Sequence, residues 1–313
     1  MSPRRMPGKK LLKMLLPIFG LLLLVVAGLM VWLVLKVTRP PRQAYLVAPE
    51  SFTLLSERGL KATNEEWTNR DGTKARGWLL RGTPGSPAVI LLHRYGADRS
   101  WLLNMGDKFD ANYTILLPDL RGHGLNPPVS WTSFGGQEAE DVSAAIDYLR
   151  SLKTQGSPLV GPSIGLYGVE LGAYAALRAG AQNANVRALV LDSVPATPSD
   201  LLNTAVKERT GLSNRLLMWL ARGGTRIYFL GSFDDTSACQ AAKDIGNRRV
   251  LLLAGEGRAD LRASTLALAQ CLPAGVEVQG DLPLTGYNLP SAPGEQEDAY
   301  DRRVINFFDQ ALR

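Results

Sequence analysis

The ten residues GLYGVELGAY (165–174) read as the end of a short buried strand, a Gly-x-x-x-Gly turn and the start of a small-residue helix, with Glu170 at the centre of the turn. Just upstream, GPSIG (161–165) spells Gly-x-Ser-x-Gly, so two overlapping stretches compete for one sharp strand-to-helix turn. Such a turn needs a buried strand before it, a helix after it, and small residues two positions either side of its strained centre. GPSIG lacks the strand: Gly161 and Pro162 precede Ser163, and SLKTQGSPLV (151–160) before them is loop-like. Ser163 therefore belongs at the entry to the strand, the wrong end of a parallel sheet for a functional site. GVELG meets every requirement, with Gly168 and Gly172 flanking Glu170, strand over Ile164–Gly168 and helix through AYAALRAGA (173–181). Local geometry selects Glu170.

Outward from that turn, strand and helix signals alternate. AVILLH (88–93), YTILLPD (113–119), RALVLD (187–192), RVLLLAG (249–255) and VEVQ (276–279) are short apolar runs, as expected of strands buried on both faces. Residues 137–152 carry Val142, Ala145, Ile146, Leu149 and Leu152 at helical spacing, with Glu138, Glu140 and Asp141 near the start. Val304, Phe307, Phe308 and Leu312 mark a closing helix, and EEWTNRDGTKARGWLLRG (65–82) reads as a hairpin turning at Asp71-Gly72. The alternation predicts an α/β fold, a mostly parallel twisted sheet with helices on both faces. Residues 196–245 interrupt it with a helical insertion, in which NRLLMWLA (214–221) reads as the buried face of a lid helix; together with Trp131 it is also able to line a pocket.

The N-terminal region is different in kind. Met14–Leu35 is an uncharged, mostly apolar run of 22 residues, long enough as a helix to reach about 33 Å against a hydrocarbon core of about 30 Å. Its length and its continuation into LKVTRPPRQ favour an uncleaved anchor over a signal peptide. Residues 1–13 then form a basic cytoplasmic tail, 14–36 a transmembrane anchor, 37–59 a linker and 60–313 the main domain, with 196–245 as the lid. Arg4, Arg5, Lys9, Lys10 and Lys13 precede the span and Lys36, Arg39 and Arg42 follow it, which predicts the N-terminus inside and the main domain outside. Six of the 35 Lys and Arg lie in residues 1–36 with no acid, leaving 29 basic against 29 acidic residues in the rest. The net charge of +6 thus belongs to the anchor region and gives no reason to expect nucleic-acid binding. Cys239 and Cys271 are the only cysteines. They could form one disulfide worth about 3 kcal/mol in an oxidising compartment, or remain two buried thiols.

Five stretches together resemble the α/β-hydrolase superfamily, in particular its serine-aminopeptidase-like branch with N-terminal anchors: VILLHRYGADR (89–99), LLPDLRGHG (116–124), SFGGQEAEDVSAAIDYLRS (133–151), LYGVELGAYAAL (166–177) and VINFFDQAL (304–312). The resemblance covers most of residues 60–313 and makes GVELG the nucleophile elbow, His93 and Arg94 part of the oxyanion loop, and Leu171 the elbow's oxyanion residue. It also implies the order nucleophile, acid, His along the chain. The chain departs from that pattern. Its two histidines, His93 and His123, both precede Glu170. Arg258 stands where the acid is expected, with Asp260 two residues late; Tyr287 or Asn288 stands where the His is expected; and Arg94 replaces a glycine. Asp192 is an alternative acid from another strand, though such a residue more often caps the following loop.

Without a downstream imidazole a serine hydroxyl is a poor nucleophile, and a positioned base alone contributes about 10²–10⁴-fold. The expected function is therefore that of a membrane-anchored, catalytically degenerate hydrolase fold that binds a small molecule or a protein. The alternative is an active ester or peptide hydrolase with a rearranged site. Neither a metal nor a cofactor is expected. Glu170 should pair with Arg258 or Arg94, since an isolated buried carboxylate is costly.

Overall fold

The computed structural model describes residues 8–42, 44–46, 62–273, 275–289 and 294–313. Residues 1–7 of the expected basic tail and 47–59 of the expected linker lie outside the described residues. The chain divides into two compact units, one made of the segment up to Val37 with Leu202–Phe233, the other of Thr38–Leu201 with Asp234–Arg313.

The larger unit holds an eight-stranded sheet of β1 (Ala62–Thr68), β2 (Lys74–Leu80), β3 (Ser86–Leu92), β4 (Thr114–Pro118), β5 (Val160–Val169), β6 (Val186–Asp192), β7 (Arg249–Leu253) and β8 (Glu277–Gln279). Their spatial order is β1-β2-β4-β3-β5-β6-β7-β8. From β4 to β8 all pairings are parallel, and β1 and β2 form the antiparallel edge. The expected hairpin is present. Asn69–Thr73 closes it, with the Gly72 N–H donating to the Asn69 carbonyl and Gly72 at φ +83°, which a residue with a Cβ adopts only at a cost. β5 begins earlier than its apolar run suggests, because Val160 already pairs with Ser86 of β3 across a register shift. Ser163 sits in this first part of β5, at the opposite end from Glu170 as the sequence predicts.

Side-chain alternation divides the sheet into two faces. Val89, Leu91, Ile115, Leu117, Tyr167, Val169, Ala188, Val190, Leu251 and Leu253 share one buried cluster with residues of α2 (Leu103–Lys108) and α9 (Gly294–Leu312). A Cβ on Gly165 would stand 2.5 Å from Phe308 Cε1, so α9 lies directly on β5. The alternate residues face α3 (Gly136–Ser151) and α4 (Leu171–Gln182), where a Cβ on Gly180 would reach within 2.6 Å of Leu189 Cδ2. Val142, Ala145, Ile146 and Leu149 of α3 are all buried.

Between β6 and β7 run α5 (Pro198–Thr210), α6 (Arg215–Tyr228) and α7 (Ala238–Ala241), and α8 (Ala259–Ala269) follows β7. The reading of NRLLMWLA as a buried face needs correcting. Leu220 and Ala221 are buried, but Leu216 is 61% and Trp219 69% exposed. Hydrophobic periodicity marks an apolar stripe without saying whether protein covers it. In the smaller unit α1 (Gly8–Thr38) includes Leu12–Thr38, the one span among the described residues long and apolar enough to cross a membrane, with mean hydropathy 2.9.

Cys239 and Cys271 form a disulfide with their Cα atoms 5.3 Å apart, resolving the open choice between a bridge and two thiols. Replacing both by Ser is expected to cost about 4 kcal/mol of unfolding free energy, the loop-closure value for a separation of 32 residues. Urea titration of both forms measures it, and equal midpoints would show that the bridge constrains nothing.

At the carboxyl edge of the sheet Asp192 is fully buried and ties three segments together. Its carboxylate accepts the Gly286 N–H at 2.7 Å, the Ser193 hydroxyl at 2.6 Å and the Tyr300 hydroxyl. Burial pushes its carboxyl up to about 6, against the pull of those donors. Against an unfolded value of about 3.9, the raised value means stability fully present below about pH 4 and lost as pH rises through about 6. Asp192→Asn does not titrate. Relative to that variant, the native protein should lose on the order of 2 kcal/mol between pH 4.5 and 7.5; a constant difference across that range would refute the raised value.

Candidate functional site

Glu170 lies between the last residue of β5 and the first of α4, with φ +52° and ψ −106°. A non-glycine residue held there costs about 1–3 kcal/mol. The neighbouring glycines show why the chain accepts this. A Cβ on Gly168 would stand 2.3 Å from the Gly172 carbonyl oxygen, and one on Gly172 would stand 2.4 Å from the Leu92 carbonyl oxygen at the end of β3. Strand, turn and helix are thus in backbone contact. The Glu170 N–H donates to the Asp192 carbonyl at 2.9 Å, and its own carbonyl accepts the Tyr174 N–H that opens α4. This is the conformation of a nucleophile elbow, on a central strand beside β3, where the chain order of the parallel sheet reverses.

The Glu170 side chain is 1% exposed. Its Oε2 accepts the Tyr95 backbone N–H at 3.1 Å, and its Oε1 lies 3.9 Å from Nη2 of Arg258. Tyr95 follows β3 in the loop that supplies one of the two oxyanion N–H donors in this architecture, the other coming from the residue after the elbow centre, here Leu171. The carboxylate at the nucleophile position therefore occupies a donor that would otherwise face a reacting oxygen.

Arg258 reaches the site from the loop after β7. Its Nε and Nη2 also hold Asp260, at 3.2 and 3.3 Å. Burial works against its charge, but Asp260, Glu170 and Tyr287 outweigh burial and raise the guanidinium above its ordinary value. Tyr287, from the loop after β8, has the Arg258 guanidinium carbon 4.4 Å and that of Arg94 4.0 Å from its ring centroid. Arg94 packs over Trp101 as well, at 4.3 Å, and donates through Nη1 to the Tyr95 carbonyl at 2.8 Å. Of the two expected partners for Glu170, Arg258 is beside it, and Arg94 instead joins a stack of alternating aromatic and guanidinium planes. Asn288 packs at Gly257, whose Cβ would stand 2.8 Å from the Asn288 amide nitrogen.

Both imidazoles serve the loops. His93 Nδ1–H donates to the Arg94 carbonyl at 2.8 Å and Nε2 accepts the Leu120 N–H at 3.1 Å, so both nitrogens are committed and the tautomer is fixed. Burial, then His123 and the nearby arginines, hold its ring well below the usual histidine value. His123 Nδ1–H donates to the Arg121 carbonyl at 2.9 Å, and burial lowers its ring to about 4. Both rings are therefore uncharged at neutral pH, and His93 has no nitrogen lone pair left to accept a proton. Asp192 does more than cap a loop: it holds Gly286 and Tyr300, and a carboxylate so employed orients no imidazole. Among the described residues no group of three or more His, Cys, Asp or Glu is placed to hold a metal ion.

Sequence reasoning brought Glu170, Arg258, Tyr287, Arg94, Leu171, Gly168 and Gly172 to this end of the sheet and missed the Tyr95 N–H, Trp101 and the Asp192 network. The Tyr95 N–H, a backbone donor, left no side-chain signal, and neither did the hydrogen bond that Gly286 donates to Asp192, 94 residues away.

Several solved structures share this architecture. The Pyrococcus furiosus esterase Pf2001 superposes with a TM-score of 0.62 at 20% identity, over 88% of this chain and 100% of its own. The alpha/beta hydrolase GrgF from Penicillium sp. sh18 gives 0.58 at 18%, over 81% and 99%. The Pyrococcus horikoshii acylaminoacyl peptidase gives 0.59 at 14%, over 85% of this chain and 44% of that one. At these identities the likeness is one of fold. No curated protein matches the sequence. Residues 89–293 match the Alpha/beta hydrolase family, and with the elbow, strand order and oxyanion loop in place the chain belongs to it.

Proposed function

We propose that this chain is a membrane-anchored member of the family, close to its serine-aminopeptidase-like branch, whose elbow site binds a small molecule or a protein and does not perform Ser-His-acid hydrolysis. The observation that carries the reading is the placement of Glu170, whose carboxylate takes the Tyr95 N–H and faces Arg258. An acid at the elbow, a cation at the acid position and an aromatic ring at the imidazole position form a mutually compensated set. Nothing in that set activates a hydroxyl or a water. The anchor rests on α1, and the inside position of the N-terminus on the basic residues that precede it. The Cys239–Cys271 bridge agrees with a main domain in an oxidising compartment.

A second reading, hydrolysis of an ester or peptide through a rearranged site, is favoured by the retained left-handed elbow and by the esterase and peptidase neighbours. Glu170 attacking a carbonyl would leave an acyl-enzyme that water must cleave; His93 has both nitrogens engaged, and burial makes His123 a weak base for that step.

Fluorophosphonate treatment of the full chain in detergent, with adducts located by mass spectrometry, separates the two readings for serine chemistry. The native chain should give no adduct beside a serine hydrolase that labels. Glu170→Ser should give none either, because the new hydroxyl would have no imidazole. An adduct on Ser163, or on any serine of the native chain, overturns the reading. Glu170→Gln keeps the shape of the side chain and removes its charge. It is expected to cost about 2–3 kcal/mol by leaving Arg258 half-paired, and an unchanged unfolding midpoint would dismiss the pairing.

A further inference from the structure

α6 and α1 belong to the same compact unit, and α6 seats on the last turns of α1. A Cβ on Gly224 would stand 2.6 Å from both Met30 Cγ and Val34 Cγ2, and Gly224, Ile227 and Tyr228 line one apolar cavity with Met30, Val31, Val34 and Leu35. Nearby, Arg209 donates from Nε to the Lys36 carbonyl at 3.3 Å. By helical spacing α6 has three sectors. Leu220, Ala221, Gly224 and Thr225 are buried. Leu216, Trp219 and Ile227 form an apolar sector facing outward, with Ile227 65% exposed. Arg215, Arg222 and Arg226 form a basic edge next to Trp219, all three exposed.

The segment just after α6 repeats the pattern. Leu230 is 94% exposed and held at φ +51°, so an unfavoured backbone conformation presents a large apolar side chain outward. The left-handed turn closes α6, with the Leu230 N–H donating to the Ile227 carbonyl and the Gly231 N–H to that of Arg226, and it leaves Leu230 beside the outward apolar sector. The apolar sector is also continuous with a surface already read as lipid-facing, since Val31 and Trp32 of α1 are exposed beside the seat of α6.

Resting on the anchor reading above, we propose that α6 and Leu230 form a second membrane element. The helix lies in the interface of the bilayer that α1 crosses, with its apolar sector in the acyl boundary and its arginine edge among the phospholipid phosphates. The depth fits. Met30 and Val34 lie roughly 9 and 3 Å along the helix axis from Lys36 at 1.5 Å per residue, and interfacial helices sit about 5–10 Å into the headgroup and acyl boundary. Trp32 and Tyr228 are of the residue types that gather at that level, and Lys36 lies over the Trp32 ring at 4.8 Å. Arginine beside an apolar stripe matches an anionic lipid surface.

The test uses the full chain in vesicles of phosphatidylcholine and phosphatidylglycerol, with an environment-sensitive nitrobenzoxadiazole probe on a single introduced cysteine. Val25→Cys reports the anchor, Leu216→Cys and Leu230→Cys report the proposed element, and Lys207→Cys on α5 is an exposed control. With spin-labelled lipid, positions 25, 216 and 230 should lose fluorescence, as expected of probes about 5–10 Å or more deep, while position 207 remains bright. Quenching at 25 without quenching at 216 and 230 overturns the proposal and leaves the anchor standing. Shielding of 216 and 230 from aqueous iodide without lipid quenching also overturns it, by showing that protein covers the face. Failure at 25 removes the anchor reading, and this inference with it.

Discussion

The absence of room for a Cβ at Gly168 and Gly172 is the constraint from which the site follows. With 2.3 Å to one carbonyl and 2.4 Å to another, the end of β5, the first turn of α4 and the end of β3 meet backbone to backbone. That contact forces the residue between the glycines into the left-handed region whatever its side chain is, and points it at the loop after β3. The strain at Glu170 is therefore a property of the junction. An elbow kept in this form shows that the fold still needs close packing there, and it does not by itself show that the side chain it carries reacts.

What the junction presents is set by charge. A carboxylate delivered to a 1% exposed position needs a donor and a countercharge, and the Tyr95 N–H supplies the first and Arg258, 3.9 Å away, the second. Arg258 in turn needs countercharge and finds Asp260 as well as Glu170. Arg94, at a position where the family resemblance implies glycine, brings a second guanidinium that Tyr287 and Trp101 accommodate with their ring faces. Each departure makes sense beside the others and little sense alone. Substituting any one of them back would remove one member of a set whose charges and rings face one another.

The strands were legible because buried parallel strands are short apolar runs, and the elbow because Gly-x-Glu-x-Gly between strand and helix has few other uses. The placing of Arg258 and Tyr287 near Glu170 followed from the family resemblance, while the order of the strands comes from the structure alone. Three kinds of information were not legible. A backbone donor such as the Tyr95 N–H has no side-chain signature, and the partners of Asp192 are Gly286 and Tyr300, set by how the end of the sheet closes. The direction of an apolar stripe was the third gap. Leu216 and Trp219 have the spacing of a core face, but Leu220 and Gly224, on the side of α6 away from Trp219, take the protein contact instead.

Total charge misleads in the same way as total hydrophobicity. Outside residues 1–36 basic and acidic residues balance at 29 each, which removes any general attraction to polyanions. Attraction to a surface depends on the local pattern, because fields from exposed charges decay over about 10 Å at ordinary ionic strength. Arg215, Arg222 and Arg226 share one edge of α6, each about 6–11 Å along the axis from the next at 1.5 Å per residue, while the acids that neutralise them in the sum are spread over residues 37–313. A chain can therefore be neutral over most of its length and still carry a locally basic helix edge, and here that edge borders the apolar sector that would enter lipid. The arginines and the leucines of α6 then serve a single surface, which neither the charge count nor the hydropathy of the insertion reveals separately.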